Sequence, residues 1–360
     1  MNITNFFYCI AIYNIRTFQV SDINNEFTDK EYIINRLYLC GISFILCLIF
    51  VLLNNFSLMQ KLIILCFMVF KCIEAFTDVL YGINQKNWRM DYIGISSIFR
   101  GIFTLVIFII IGNYYGLLQA VIGMTITSII ICLVYDLQKT KRLSNFLSFS
   151  VYKIFFLLKK CFPLMLVILI NTFIASFSRY SIEIIHGTEA LGIYAAIITP
   201  ALIIQIAASF ILLPLINVFT AFLKESNIKN FIKLFIYTIL FIICLTLIAY
   251  LLAIFFGEWA LKIIFGNIVI PYVYLLNGAI IFSGLTAFMW FMNIVFITMR
   301  DIKGILIGNI IGAVICLLLT NDFLVRFNLI GANYIMILCQ SVAIIFLLIK
   351  FYINLKKLEK

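Results

Sequence analysis

Six ionisable side chains lie in stretches that are otherwise apolar. Lys71, Glu74 and Asp78 share one stretch, Arg100 occupies the next, and Arg179 with Glu183 a later one. The spacing of Lys71, Glu74 and Asp78 is i, i+3, i+7, which on a helix puts all three on one face. Arg179 and Glu183 form an i, i+4 pair, and the single histidine, His186, follows just beyond. A charge in mid-bilayer costs about 2.5 to 3.5 kcal/mol, so such groups face a partner or a water-filled cavity. Two readings are open. Lys71 neutralises Glu74 and Arg179 neutralises Glu183 so that the helices insert, or the charges line a polar path. Asp78 and Arg100 have no partner within their own turn of helix, which favours a cavity. Three cations against three anions do not make it strongly cationic.

Bond-making chemistry has no support. With one histidine there is no zinc-binding H-E-x-x-H, and no phosphate loop, nucleophile elbow or C-x-x-C pair is present. No metal or cofactor is expected. The ten cysteines fall mostly within apolar runs and read as small hydrophobes. A membrane glycosyltransferase or polymerase would carry its acidic residues on a large outer loop, and the outer loops here are short.

These side chains must be positioned by membrane helices. Of the 360 residues, 65% are hydrophobic and 11% charged, too little polar surface to cover a water-soluble fold of this length. Apolar runs long enough to cross a hydrocarbon core of about 30 Å recur throughout. They are continuous rather than alternating, which selects helices over a barrel. The expected spans are 3–18, 37–53, 62–82, 92–112, 114–135, 161–185, 189–222, 231–256, 270–299, 304–320 and 329–352. The 189–222 run holds Pro200 and Pro214 and is expected to bend or break there. Gly304, Gly308 and Gly312 predict close helix packing.

The net charge of +11 needs no nucleic acid. Basic residues concentrate in alternate connections, among them Arg16 and Arg36, Lys86 and Arg89, Lys139 to Lys160, and Lys350 to Lys360; the opposite set holds only Lys61, Lys262 and Arg326. By the positive-inside rule the rich set and the C-terminus are cytoplasmic, at the cell (inner) membrane. Residues 3–18, short and carrying Asn5, Asn14 and Arg16, would then start outside, so an N-terminal helix is missing or this piece lies at the interface. The basic connection from Asp136 to Lys160 separates five spans from six, and a restored first helix would make the halves equal. Paired repeats of that kind are common in secondary transporters. The expected division is 1–143 for an N-terminal lobe and 144–360 for a C-terminal lobe.

Three stretches carry a family resemblance. They are Arg16 to Asp22 (RTFQVSD) with Glu31 to Arg36 (EYIINR); Gln85 to Gly94 (QKNWRMDYIG) with Arg100 and Gly101; and Arg179 to Glu183 (RYSIE) with Gly187 and Gly192 to Ala196 (GIYAA). The pattern resembles the polysaccharide (O-antigen or repeat-unit) flippases of the multidrug/oligosaccharidyl-lipid/polysaccharide exporter superfamily. The resemblance spans nearly the whole chain, short of the family's first helix and part of the second. It implies an all-α bundle of two six-helix lobes and an alternating-access cycle. It also implies that an undecaprenyl-diphosphate-linked oligosaccharide is carried from the inner to the outer leaflet, with other pathway proteins such as a polysaccharide polymerase as partners. Joined to the charges above, it makes Arg100, Arg179, Lys71 and Glu183 candidates for a substrate chamber between the lobes, and Glu74 and Asp78 candidates for ion coupling. A drug/cation antiporter of the same superfamily, or an inactive shortened copy, is the alternative.

Overall fold

A computed structural model describes residues 2–22, 25–144 and 150–358. Lys360 and the side chain of Lys357, both counted in the cytoplasmic basic set, lie outside the described parts, as do residues 145–149 of the central basic connection. The described residues form helices α1 (Asn2–Ile12), α2 (Ile15–Val20), α3 (Asp29–Leu53), α4 (Leu58–Lys86), α5 (Met90–Tyr115), α6 (Leu117–Ile131), α7 (Leu137–Lys141), α8 (Val151–Lys224), α9 (Ile228–Phe265), α10 (Tyr274–Thr298), α11 (Ile302–Phe327) and α12 (Leu329–Leu358). A π turn, Cys132–Asp136, joins α6 to α7, and a 3-10 turn, Asn267–Tyr272, precedes α10.

Eight helices among the described residues are long and apolar enough to cross a membrane. Helix α4 is also long enough, at 29 residues, but carries Lys71, Glu74 and Asp78. Helix α8 runs for 74 residues and has non-helical backbone at one place, Gly187, with φ 87° and ψ 170°. Ile182 before that glycine and Tyr194 after it share one buried cluster, so the chain folds back into two membrane-length arms, 151–186 and 188–224. The chain is a multi-pass membrane protein.

Several expected boundaries shift. Of the bend or break expected at Pro200 and Pro214, a break is absent: the backbone there stays helical, and the one non-helical residue of α8 is Gly187, whose missing side chain permits a positive φ. The 3–18 stretch is not one span but α1 and α2, interrupted at Tyr13 and Asn14 with φ of 48° and 50°. Helix α3 starts well before residue 37. A capping box, in which Thr28 accepts from the Glu31 amide and Glu31 from the Thr28 amide, fixes its first turn at Asp29. That first turn is too polar to register as part of an apolar run.

Two compact units divide the chain, 1–169 and 170–360. In the first, α3, α4 and α1 pack together and α6 lies on α4 and α5. The opening turns of α8 complete it: Leu158 O accepts from the Tyr13 hydroxyl (3.2 Å), Ile154 O accepts from Asn35 Nδ2 (3.2 Å), and Lys160 pairs with Glu26. In the second unit α12 packs against α10 and α11. Gly308 and Gly312 admit α12 closely: a Cβ at Gly308 would stand 3.0 Å from Leu347, and one at Gly312 3.4 Å from the Cys339 carbonyl. Buried amides pin this unit, Tyr194 OH donating to Asn333 Oδ1 (3.0 Å) and Asn333 Nδ2 to Leu275 O (2.8 Å).

Candidate functional site

The break between α1 and α2 creates the first part of the site. Ending a helix leaves its last carbonyls without amide partners and gathers partial negative charge there. Arg36 of α3, whose side chain is fully buried, answers both. Its Nη1 donates to Ala11 O (2.8 Å) and to Ile12 O, and its Nη2 donates to Asp78 Oδ2 (3.0 Å). From α2, Arg16 reaches the other carboxylate oxygen of Asp78 (3.4 Å) and Gln85 Oε1 (2.8 Å), with its guanidinium 5.6 Å from the centre of the Tyr81 ring. One carboxylate thus holds two arginines, tying α2, α3 and α4 together.

Arg100 of α5 forms the second part. Its Nη2 donates to Asp136 Oδ2 at 2.9 Å, and both residues are buried. Arg100 Nε and Nη1 are buried with no hydrogen-bond partner among the described residues, and the Ser96 hydroxyl stands beside the Asp136 carboxylate. An unsatisfied buried group costs about 1–3 kcal/mol, more when charged, so this pair is held only in part. Tyr81 OH donates to Ser96 Oγ (2.7 Å) one turn before Arg100.

These groups border a cavity of about 370 Å³ within the first unit. Arg16, Arg100, Glu74 and Asp78 line it, with Tyr8, Phe70 and Tyr81 as aromatic wall and the hydroxyls of Thr77, Ser97 and Thr104, of which Thr77 and Thr104 donate back to Ile73 O and Arg100 O. Lys71 stands at 2.7 Å from Glu74 and 5.0 Å from the centre of the Tyr8 ring. With the buried partners included, four cations (Arg16, Arg36, Lys71, Arg100) face three carboxylates (Glu74, Asp78, Asp136), an excess of one positive charge. Cation, aromatic face and hydroxyl together suit a ligand that is both anionic and rich in hydroxyl groups.

The structure therefore brings Glu74, Asp78 and Arg100 to one cavity, with Lys71 on Glu74. Arg179 and Glu183 belong to the second unit, on α8; both side chains are exposed and no ion pair joins them. His186 is half-buried and donates from Nε2 to Leu324 O at 3.2 Å. Among the described residues, Asp78 and Arg100 have no ion-pair partner on their own helices; their partners, Arg16 and Arg36 for Asp78 and Asp136 for Arg100, come from other elements of the unit. Arg16 and Arg36, counted by sequence with the cytoplasmic loops, and Asp136, placed in the central connection, are helix residues of the site. Only the i, i+3, i+4 spacing of Tyr32, Asn35 and Arg36 beside an apolar run signals Arg36, and nothing local signals Asp136.

The same architecture is found in solved transporters. The Vibrio cholerae MATE transporter VcmN in its bent form superposes with a TM-score of 0.77 at 13% identity, covering 99% of this chain and 86% of that one. An outward-facing multidrug resistance MATE family transporter of the MOP superfamily gives 0.79 at 13% identity, covering 100% and 86%. At such identity the likeness shows the fold alone: the all-helical membrane fold of these transporters. Residues 13–222 match the family model described as "Polysaccharide biosynthesis protein", and the chain belongs to that family. It is 26% identical over 251 residues to the capsular polysaccharide biosynthesis protein CapF of Staphylococcus aureus. That match covers 68% of this chain and 62% of CapF, less than two thirds of the relative's length.

Proposed function

We propose that the chain carries an undecaprenyl-diphosphate-linked oligosaccharide repeat unit from the cytoplasmic to the outer leaflet of the cell membrane during surface polysaccharide synthesis. The observation that supports it most is Arg100: a guanidinium in a membrane helix, bordering a cavity, with two nitrogens unpartnered. Burying such a group without full satisfaction is costly unless an anion comes to it. Family membership and the likeness to a capsular polysaccharide protein make a lipid-linked glycan the natural anion.

In this reading Arg100 and Arg179 meet the diphosphate or the polar glycan, with Lys71 and Glu183 as further polar contacts. Glu74 and Asp78 supply carboxylates for a coupling ion. The working lobes are 1–143 and 144–360, the C-terminus is cytoplasmic, and a polysaccharide polymerase takes up the delivered unit. A drug/cation antiporter is the second reading, favoured by the MATE neighbours and by the two carboxylates in the cavity.

Single replacement of Arg100 and of Arg179 by Gln tests the assignment through export of the surface glycan. Loss of export with lipid-linked glycan accumulating on the cytoplasmic leaflet is expected. Normal export from well-inserted variants refutes the role of that arginine. Drug resistance on overexpression, with surface glycan unchanged on deletion, selects the antiporter.

A further inference from the structure

The π turn Cys132–Asp136 is not used by the reading above. It interrupts the regular helix between α6 and α7, and its last residue is Asp136. Its exposed side chains are Leu133 and Val134, while Cys132 and Asp136 point into the unit. One turn further on, α7 is fastened to α4, the Thr140 hydroxyl donating to Asn84 Oδ1 at 3.2 Å. The irregular backbone therefore sits between two anchored pieces, with the carboxylate that holds Arg100 mounted on it. Turns of this type carry one residue more than an α turn, are poorer in hydrogen-bond geometry, and recur at functional sites. Shifting one residue between π and α register swings a side chain by about 100° around the helix axis without unwinding it.

The Arg100–Asp136 pair is unusual for a buried ion pair because so little of it is satisfied. One guanidinium nitrogen meets one carboxylate oxygen at 2.9 Å, and the Ser96 hydroxyl stands beside that carboxylate, while Nε and Nη1 of Arg100 are left buried and unpartnered among the described residues. A fully bonded pair would resist opening. Here an arriving anion with several oxygens offers acceptors to the two idle nitrogens, and its charge then repels Asp136.

We propose that Asp136 is the resident counter-ion of Arg100. It competes with the substrate's anionic group for the guanidinium, and the π turn is the mount on which it withdraws when the anion binds and returns to expel it. This rests on the reading of Arg100 as an anion ligand and adds to it a positioning residue and a release step. No bond is made or broken; one anion replaces another at the same cation. The consequence is a split: Asp136 weakens binding and speeds turnover. A purely structural carboxylate would do neither.

The test uses the full chain in nanodiscs, with undecaprenyl diphosphate as probe and inorganic pyrophosphate in a parallel series to separate headgroup from lipid recognition. Asp136→Asn, which removes the charge and keeps the shape, is expected to bind the probe roughly tenfold tighter. In cells the same variant should export surface glycan more slowly than the wild type. Asp136→Glu retains the charge and is expected to bind within about threefold of wild type. It also serves if the Asn variant fails to insert, since a tenfold change in either direction there overturns the proposal. Loss of binding in Arg100→Gln, with unchanged or weaker binding in Asp136→Asn, refutes the counter-ion role and leaves Arg100 as the anion ligand. Equal binding by wild type and Arg100→Gln refutes both.

Discussion

Removing the carboxylate of Asp78 by Asp78→Asn should loosen the first unit more than removing either arginine's outer contact. The reason is Arg36. Its side chain is fully buried and its charge is met by three acceptors, Ala11 O, Ile12 O and Asp78 Oδ2, of which only the last is ionised. Breaking a buried ion pair by deleting one partner costs about 3–5 kcal/mol when nothing else compensates. Here the carbonyls at the end of α1 remain, carrying the partial negative charge of a helix C-terminus, so we expect about 2–3 kcal/mol. Arg16→Gln removes a longer contact (3.4 Å) and leaves Asp78 its bond to Arg36, for about 0–1 kcal/mol. For a unit of this size each kcal/mol moves a melting temperature by about 2–4 °C, so Asp78→Asn should lower it by about 4–12 °C. Replacing Arg36 by Met and Asp78 by Leu together should recover much of the loss, because the fully buried charge is then gone and Arg16 keeps its hydrogen bonds to Gln85. Thermal unfolding of the detergent-purified variants, followed by size-exclusion chromatography, gives the ranking. A loss in Asp78→Asn no greater than in Arg16→Gln would refute the view that Asp78 is there to hold Arg36.

Gly187→Ala should cost about 1–2 kcal/mol, since a side chain is strained at its φ of 87°, although nothing crowds the position. Gly192→Ala, equally uncrowded but helical, should be neutral or slightly stabilising in the same melting assay; equal effects at the two sites would remove the backbone argument. In a cysteine-free background, single cysteines at Lys141 and Glu189 should react with an impermeant thiol reagent from opposite faces of the membrane. Reaction from one face only would overturn the topology drawn from the basic residues.

Much of this molecule is written locally. A helix in lipid satisfies its own backbone, so an apolar run of sufficient length needs no distant partner to declare itself, and spans such as 92–112, 231–256 and 329–352 reappear as the cores of α5, α9 and α12. Boundaries go astray where polar residues are part of a helix. The first turns of α3 hold Asp29, Lys30, Glu31, Asn35 and Arg36, which hydropathy assigns to a loop, while α8 buries Asn35 and α1 with α4 buries Arg36. The one break in α8 is likewise set by backbone: helical φ/ψ continues through Pro200 and Pro214, whereas Gly187 takes a conformation closed to other residues.

The site divides in the same way. Lys71, Glu74, Asp78 and Arg100 stand out in sequence because charge in an apolar run is expensive wherever it falls. Their partners do not stand out. Asp78 is 62 residues from Arg16 and 42 from Arg36, and Arg100 is 36 from Asp136. By sequence alone, then, the chain is a polytopic helical membrane protein with charges it must accommodate, since hydrophobicity and charge are properties of single residues. Which charge meets which, how much of Arg100 is left idle, and that a cavity opens beside it are decided by the packing of α1 to α7, because a pair energy depends on distances that only the folded chain sets.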